Sequence, residues 1–206
     1  MALWLVRHGE TEWSLSGQHT SFTDLPLTPD GELQAVAIGK LLEEREFDHV
    51  LSSPRQRAAR TATLAGFGDQ MRISEALCEV DYGQYEGLTT HQIWEREPGW
   101  QLFRDGSPGG EGPTKLQERV DAFLAEVDST GTNVLLFGHG HCFRAIAARY
   151  LGLPISAATA LRLDAGSVSI LAPERDGPSV LLWNRRVPPR AVLVADLAIR
   201  VPHVRS

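Results

Sequence analysis

Short runs of apolar residues recur along the chain, and stretches with helical spacing of apolar positions lie between most of them. Each run is bounded by polar or turn-forming residues, so each predicts a buried strand. The predicted strands span residues 3–6, 49–51, 71–74, 133–137, 168–171 and 180–183. Strands that alternate with helices predict a layered α/β fold around a mostly parallel sheet.

Two helix starts carry recognisable capping residues. Thr28 stands before Pro29, so Thr28 is predicted to be the N-cap and Pro29 the first helical residue. The same pattern at Ser53 and Pro54 predicts a second helix that runs to about Ala65. The apolar face of the first helix is predicted at Leu33, Val36, Ala37 and Leu41. Further helical patterns cover residues 116–127 and 143–150.

The overall composition is that of one folded domain, and we expect residues 1–206 to form it. Of the 206 residues, 42% are hydrophobic and 22% are charged, which allows one sizeable core. No apolar run approaches the ~20 residues of a membrane span, and the start lacks the basic region of a signal peptide. We therefore expect a cytoplasmic protein with no membrane partner. The net charge of −6 argues against a nucleic-acid partner.

The cysteines are too few to make a disulfide framework. Cys78 and Cys142 are the two thiols of the chain, and this usage fits a reducing compartment. Cys142 follows closely after histidines, so a reactive thiol stays open there. A buried structural thiol is the favoured interpretation.

Basic residues follow three of the predicted strands at the point where each strand ends. Arg7 and His8 come directly after the first strand, and His139 follows the strand at 133–137. The second strand is followed by Arg55 and Arg57, and one of these two is expected at the same edge. In such folds, ligands gather beyond the carboxyl ends of parallel strands. Arginines match phosphate oxygens and a neutral imidazole attacks phosphorus, so the pattern indicates a phosphate site that needs no metal.

Each of these residues also has an ordinary structural explanation. A histidine at a strand end is more often structural than catalytic, and the glycines at 138 and 140 are typical of turns. His139 and His141 stay open as metal ligands, but this spacing is a weak zinc signal. No cysteine or carboxylate nearby in sequence completes the set of ligands, so we expect no metal and no other cofactor.

Taken together, the motifs resemble the histidine phosphatase superfamily, which is also called phosphoglycerate mutase-like. They occur in that family's order and are RHGET at 7–11, SPRQRA at 53–58, EVDYG at 79–83, GGE at 109–111 and GHG at 138–140. The resemblance implies a three-layer sandwich, in which helices flank a central, mostly parallel sheet. It covers the chain from residue 3 to about residue 150.

The resemblance also implies roles for individual residues. His8 matches the nucleophile that becomes phosphohistidine, and Glu79 matches the general acid. The implied phosphate ligands Arg7, Arg57 and His139 complete the catalytic set. Further residues implied to contact phosphate or substrate are Ser14, Thr20, Ser21, Tyr82 and Gly140. The expected partners are a small phosphorylated substrate and inorganic phosphate, and a homodimer is left open.

Two features favour a phosphatase over a mutase within this family. Residues 84–91 lack the lysine and the paired arginines of the mutases that the chain resembles. Residues 13–20 are similar to a branch of small sugar-phosphate and broad-specificity acid phosphatases, which suggests sugar phosphates or bisphosphates as substrates. The alternatives are a cofactor-dependent phosphoglycerate mutase and a catalytically dead binding or signalling member. A lid around 94–112 is expected to set the substrate.

Overall fold

The computed structural model describes residues 2–128 and 132–187. The strands are β1 Ala2–Arg7, β2 His49–Ser52, β3 Met71–Ile73, β4 Asn133–Gly138, β5 Ser167–Glu174 and β6 Gly177–Arg186. They form a six-stranded sheet in the order β3-β2-β4-β1-β5-β6. Each strand predicted from an apolar run is present, and β5 and β6 are longer than predicted.

Helices cover both faces of this sheet. They are α1 Glu12–Ser16, α2 Pro29–Leu42, α3 Gln56–Leu64, α4 Thr90–Trp94, α5 Leu102–Asp105, α6 Pro113–Asp128 and α7 Gly140–Tyr150. Short 3-10 helices lie in the connections at Glu75–Leu77, Gly83–Tyr85 and Ile155–Ala160. Within the described ranges, no helix combines the length and the hydropathy that crossing a membrane requires.

The sheet is mixed, and its parallel part carries the polar edge. β1 pairs with β4, β4 with β2 and β2 with β3, all in parallel. β5 runs antiparallel to β1, and β6 runs antiparallel to β5 across a tight hairpin. Arg7 lies opposite Gly138, and Ser52 lies opposite Phe137. β1, β2 and β4 therefore end at the same edge, and the predicted α/β architecture is confirmed.

The central strands are buried on both faces, which creates the three layers. Successive side chains of a strand point to opposite faces, so Leu5 enters one hydrophobic core and Val6 the other. The first core also contains Ile146 of α7, and the second contains Ile38 of α2. Burying one such side chain contributes about 1.5–3 kcal/mol. These cores hold the ends of the central strands in register.

α2 begins where predicted but buries a different face. The Thr28 hydroxyl caps it by accepting a hydrogen bond from the Gly31 N–H at 3.0 Å. Its buried residues are Gly31, Gln34, Ala35, Ala37, Ile38 and Leu42. Of the predicted face only Ala37 is fully buried, and Leu33 is 48% exposed. On the buried face, the backbone of Gly31 lies in close contact with that of Glu10, a contact that apolar periodicity does not reveal.

The predicted start of the next helix was wrong. α3 begins at Gln56 instead of Pro54, and its N-cap residue Arg55 makes no side-chain capping bond. The Gln56 N–H instead donates to Asp24 Oδ1 at 2.9 Å, so the cap comes from a distant loop. Ser53 does not cap the helix and lies at the polar edge of the sheet, where its hydroxyl contacts His139.

Replacing Gly31 by alanine should destabilise the protein although alanine favours helix. The added Cβ would lie 2.2 Å from the Glu10 carbonyl oxygen, so α2 or the end of β1 must shift. Overpacking of this kind costs about 1–3 kcal/mol, more than the roughly 0.5–1 kcal/mol gained by removing a helical glycine. Chemical unfolding measures the difference in the free energy of unfolding between the variant and the wild-type protein. Gly112→Ala is the control, because nothing lies within 4 Å of its added Cβ; equal stability of the two variants contradicts the contact.

Candidate active site

The ends of β1 and β4 bring two histidines side by side. The His8 backbone N–H donates to the Gly138 carbonyl at 2.9 Å, which continues the parallel ladder one residue past β1. The rings of His8 and His139 consequently lie with their centroids 5.2 Å apart and their planes at 63°. Both side chains are buried. The strand ends thus converge as the sequence pattern predicts.

His8 is held in one tautomer by its own backbone neighbour. Its Nδ1 lies 2.8 Å from the Gly9 carbonyl oxygen. Because a carbonyl only accepts, Nδ1 carries the hydrogen and Nε2 keeps its lone pair. Burial, together with the charges of Arg57 and Arg7, lowers the pKa of His8 well below its usual value. The ring is therefore neutral at neutral pH and can act as a nucleophile through Nε2.

Arg7 and Arg57 are buried cations that are held mainly by backbone carbonyls. The acceptors are the carbonyls of Thr20, Ser21 and Thr23 for Arg57 and that of Leu163 for Arg7. Asp24 Oδ1 lies 3.9 Å from an Arg57 nitrogen. Burial lowers the pKa of both guanidiniums, but arginine stays protonated in proteins. The pocket is therefore strongly positive.

Three hydrogen-bonding groups around His8 lack a partner. His139 Nε2 lies 2.8 Å from the Ser53 hydroxyl oxygen, but His139 Nδ1 has no partner. Arg7 Nε and Arg57 Nε are also buried and unpartnered. In the described part of the chain only one further buried side-chain atom, Ser107 Oγ, shares this condition. Buried polar groups are rarely left unpaired, and an anion among these groups would supply acceptors for the two guanidinium nitrogens.

Glu79 lies at the N-terminus of α7 beside this pocket and is 8% exposed. Its Oε1 accepts hydrogen bonds from the backbone N–H groups of Val80 at 2.9 Å and Cys142 at 2.8 Å. Its Oε2 accepts one, from the His141 N–H at 3.1 Å. A carboxyl oxygen has two lone pairs. Oε2 therefore keeps one position that can carry and deliver a proton.

An ion pair holds the segment that carries Glu79. Arg119 of α6 donates to both carboxylate oxygens of Glu111 at 2.7 and 2.9 Å. Its third hydrogen-bonding nitrogen donates to the carbonyls of Ala76 at 2.8 Å and Cys78 at 3.0 Å. The backbone just before the acid is thereby attached to a bidentate salt bridge, a geometry that restricts both partners.

Tyr82 and Gly140 lie next to this pocket, and their contact with a ligand stays a prediction. The Tyr82 hydroxyl is 2.6 Å from His141 Nδ1, and the ring is buried. Gly140 begins α7 beside the Arg7 side chain. A Cβ at this position would lie 3.1 Å from Cζ of Arg7, so glycine allows the guanidinium to pack against the start of the helix.

Ser14, Thr20 and Ser21 make hydrogen bonds within the protein. The Ser14 hydroxyl accepts from the Thr11 N–H and the Thr11 hydroxyl accepts from the Ser14 N–H, which forms the capping box of α1. The Ser14 hydroxyl also donates to the Thr11 carbonyl. The Thr20 hydroxyl donates to the Gln18 carbonyl, and the Ser21 N–H donates to the Glu86 carboxylate. Thr20 and Ser21 reach the pocket through their carbonyls, which position Arg57. Direct contact of the three with phosphate stays a prediction.

Next to Glu79 lies a group of rings that we call the ring cluster, and one member, His19, was given no role from the sequence. Its members are His19, Tyr82, Trp100, Phe103 and His141. The His19 centroid is 4.7 Å from that of Tyr82 and 5.6 Å from that of Trp100. Trp100 belongs to the predicted lid and donates its indole N–H to the Gly106 carbonyl. The lid therefore packs against the rings beside Glu79.

The histidines of the ring cluster are neutral. Burial, with the charge of Arg144, lowers the pKa of His19 to about 4, and the same two causes lower the pKa of His141 well below its usual value. The sequence contains only a weak signal that these two histidines belong to the site. His141 follows His139 closely along the chain, whereas His19 is far from both.

The contacts of these histidines bear on the metal and thiol alternatives. One ring nitrogen of each histidine contacts a hydroxyl group. The hydroxyl belongs to Ser53 for His139 and to Tyr82 for His141. Over residues 2–128 and 132–187, no group of three or more histidine, cysteine or acidic side chains is arranged to hold a metal ion. Burial raises the pKa of the Cys142 thiol to about 12, which agrees with a buried structural thiol.

Known proteins share both this fold and these motifs. A family model described as the histidine phosphatase superfamily (branch 1) matches residues 3–186. An acid phosphatase from Mycobacterium tuberculosis is 41% identical, over 82% of this chain and 84% of that protein. The sedoheptulose 1,7-bisphosphatase of Saccharomyces cerevisiae is 33% identical, over 73% of this chain and 68% of that protein.

Solved structures agree with this assignment. The structure of an open reading frame from Mycobacterium tuberculosis superposes with a TM-score of 0.86 at 38% identity. The superposition covers 90% of this chain and 97% of that one. With the family model matching across the described strands, the chain belongs to the histidine phosphatase superfamily, branch 1.

Proposed function

We propose that this chain is a metal-independent phosphomonoesterase, with one domain over residues 1–206, that acts on small phosphorylated metabolites through a phosphohistidine at His8. The observation that carries the proposal is the set of unpartnered buried nitrogens on Arg7, Arg57 and His139 around His8. A phosphoryl group supplies the acceptors that these groups lack. A cytoplasmic location stays a prediction from the sequence.

In the first step, His8 Nε2 attacks phosphorus and the P–O bond to the alcohol breaks. The two guanidiniums neutralise the charge on the phosphoryl oxygens, and His139 forms a hydrogen bond to them; such charge stabilisation is the main requirement of phosphoryl transfer. Glu79 gives its proton to the departing oxygen, because an alkoxide is too basic to leave unprotonated. The step ends with phosphohistidine, a free alcohol and Glu79 as a carboxylate.

In the second step, water attacks the phosphohistidine and the P–N bond breaks. The Glu79 carboxylate takes a proton from the attacking water and is ready for the next turnover. His8 Nε2 regains its lone pair, and inorganic phosphate leaves. The neutral state of the His8 ring favours both its attack and its regeneration.

The ring cluster supports sugar phosphates as the substrate class. It combines the neutral, hydrogen-bonding rings of His19 and His141 with the largely buried apolar rings of Trp100 and Phe103 beside Glu79. Hydroxyl-rich groups with apolar C–H faces match such a combination. Relatives that are named an acid phosphatase and a sedoheptulose bisphosphatase support the same class.

The mutase and the binding-only alternatives are separable by assay. A mutase returns its phosphoryl group to an acceptor, so it requires phosphoglycerates and yields an isomer instead of inorganic phosphate. A dead binding member releases no phosphate at all. All five residues of the implied catalytic set are present here, which favours an active enzyme.

Hydrolysis of p-nitrophenyl phosphate should withstand metal removal. Because Arg7 and Arg57 can neutralise the phosphoryl group and His139 can form a hydrogen bond to it, dialysis against EDTA should leave kcat unchanged, and orthovanadate should inhibit. Phosphate release from sugar phosphates and 3-phosphoglycerate is measured in parallel. Activity that disappears with EDTA and returns with a divalent ion contradicts the mechanism.

His8→Ala should lose at least ~10³-fold in kcat, the scale expected when a covalent nucleophile is removed. Wild-type enzyme that turns over a ³²P-labelled substrate and is quenched in alkali should carry label on His8. His91→Ala is the control, since the His91 side chain is 83% exposed. Ordinary activity of His8→Ala, or label on another residue, would reject the nucleophile.

Glu79→Gln should impair alkyl phosphates far more than aryl phosphates. A sugar alkoxide needs a proton to leave, whereas p-nitrophenolate leaves without one, and general acid catalysis contributes ~10²–10⁴-fold. Pre-steady-state bursts isolate the first step, because Glu79 also acts in the second. Glu75→Gln, an exposed acid in the same segment, is the matched control. Equal losses on both substrates in the burst would remove Glu79 from the acid role.

A further inference from the structure

The two neighbouring histidines of the site have different hydrogen-bond partners. His8 presents Nδ1 to a carbonyl oxygen at 2.8 Å, and a carbonyl can only accept. His139 presents Nε2 to the Ser53 hydroxyl at 2.8 Å, and a hydroxyl can donate or accept. The direction of this second hydrogen bond decides what His139 Nδ1 offers to the pocket.

The surroundings of Ser53 decide that direction. Its side chain is fully buried, and the Arg55 backbone N–H donates to its Oγ at 3.4 Å. The neighbouring Ser52 hydroxyl donates to the Ser53 carbonyl and does not touch Oγ. If His139 also donated to Oγ, the Ser53 hydrogen would be buried without an acceptor, which is costly. Donation from Ser53 to Nε2 satisfies both groups.

We propose that Ser53 is a positioning residue that holds His139 as the Nδ1–H tautomer, so that Nδ1–H donates to the transferring phosphoryl group. The identity of the ligand as a phosphoryl group rests on the proposed function. The assignment of the tautomer does not depend on that function. His8 and His139 are then fixed in equivalent tautomers for opposite purposes: Nε2 of His8 is a bare nucleophile, and Nδ1 of His139 is a donor.

Because the His139 ring is neutral, the nitrogen that carries its single ring hydrogen has to be fixed by a partner. Burial, with the charge of Arg57, lowers the pKa of His139 well below its usual value, so the ring has one N–H at neutral pH. Were that hydrogen on Nε2, a lone pair on Nδ1 would face an anion and repel it. Which nitrogen of a histidine carries the proton is set by the bond that the other nitrogen makes.

Nitrogen NMR of the full chain tests the tautomer directly. The seven histidines are labelled with ¹⁵N, and His139 is assigned by comparison with His139→Gln. The wild-type protein, alone and with orthovanadate, should show a protonated Nδ1 and an unprotonated Nε2 for His139. A protonated Nε2 in the wild-type protein overturns the proposal, whatever the variants do.

Kinetics of Ser53→Ala supply the second readout. We expect kcat to fall about 10- to 10²-fold with little change in KM, less than the ~10²–10³-fold cost of deleting such a donor outright. The His139 nitrogen signals should move toward a mixture of tautomers. Ser52→Ala is the matched control, because it removes an adjacent, equally buried hydroxyl that donates to a carbonyl.

The outcomes separate this proposal from the proposed function. If Ser53→Ala matches Ser52→Ala in kcat and keeps the wild-type nitrogen signals, Ser53 does not set the tautomer. If Ser53→Ala fails to fold, the wild-type spectrum alone decides. A wild-type protein that hydrolyses no phosphate ester rejects the proposed function, and the free-protein spectrum still tests the tautomer.

Discussion

The guanidiniums of Arg7 and Arg57, which lie largely out of water at the polar edge of the sheet, dominate this structure. Removing a charge from water is costly unless polar groups replace the lost hydration, and here backbone carbonyls provide part of that replacement for Arg7 and Arg57. The Arg7 and Arg57 nitrogens that remain unpartnered can donate to an anion, and binding the proposed phosphoryl ligand would offset part of the cost of removing these charges from water.

The architecture could be predicted because its signals are local. The apolar runs that became β1, β2 and β4 are short and end abruptly in polar residues, and parallel strands must end at one edge. That geometry alone brings Arg7, His8 and His139 together. Glu79 was harder, since no periodic pattern points to it; only the resemblance singled it out, and its position beside α7 depends on the folded chain.

Contacts between distant parts of the chain explain what could not be predicted. On the buried face of α2 the backbone lies in close contact with that of Glu10, and the start of α3 follows from capping by Asp24. The apolar periodicity of a helix depends only on the residues of that helix, so it contains no information about contacts with Glu10 or Asp24. The ring cluster likewise joins His19 to Trp100 across more than a third of the described chain.

The attachment of Arg119 to two separate segments matters for protein engineering. One side of its guanidinium holds the backbone that precedes Glu79, and the other side holds Glu111 at the end of the lid. A lid grafted from a relative without an acid at this position would loosen the backbone that positions the Glu79 carboxyl. Libraries that vary the lid but retain Glu111 and Arg119 can therefore explore new leaving groups while the proposed proton donor Glu79 stays in place.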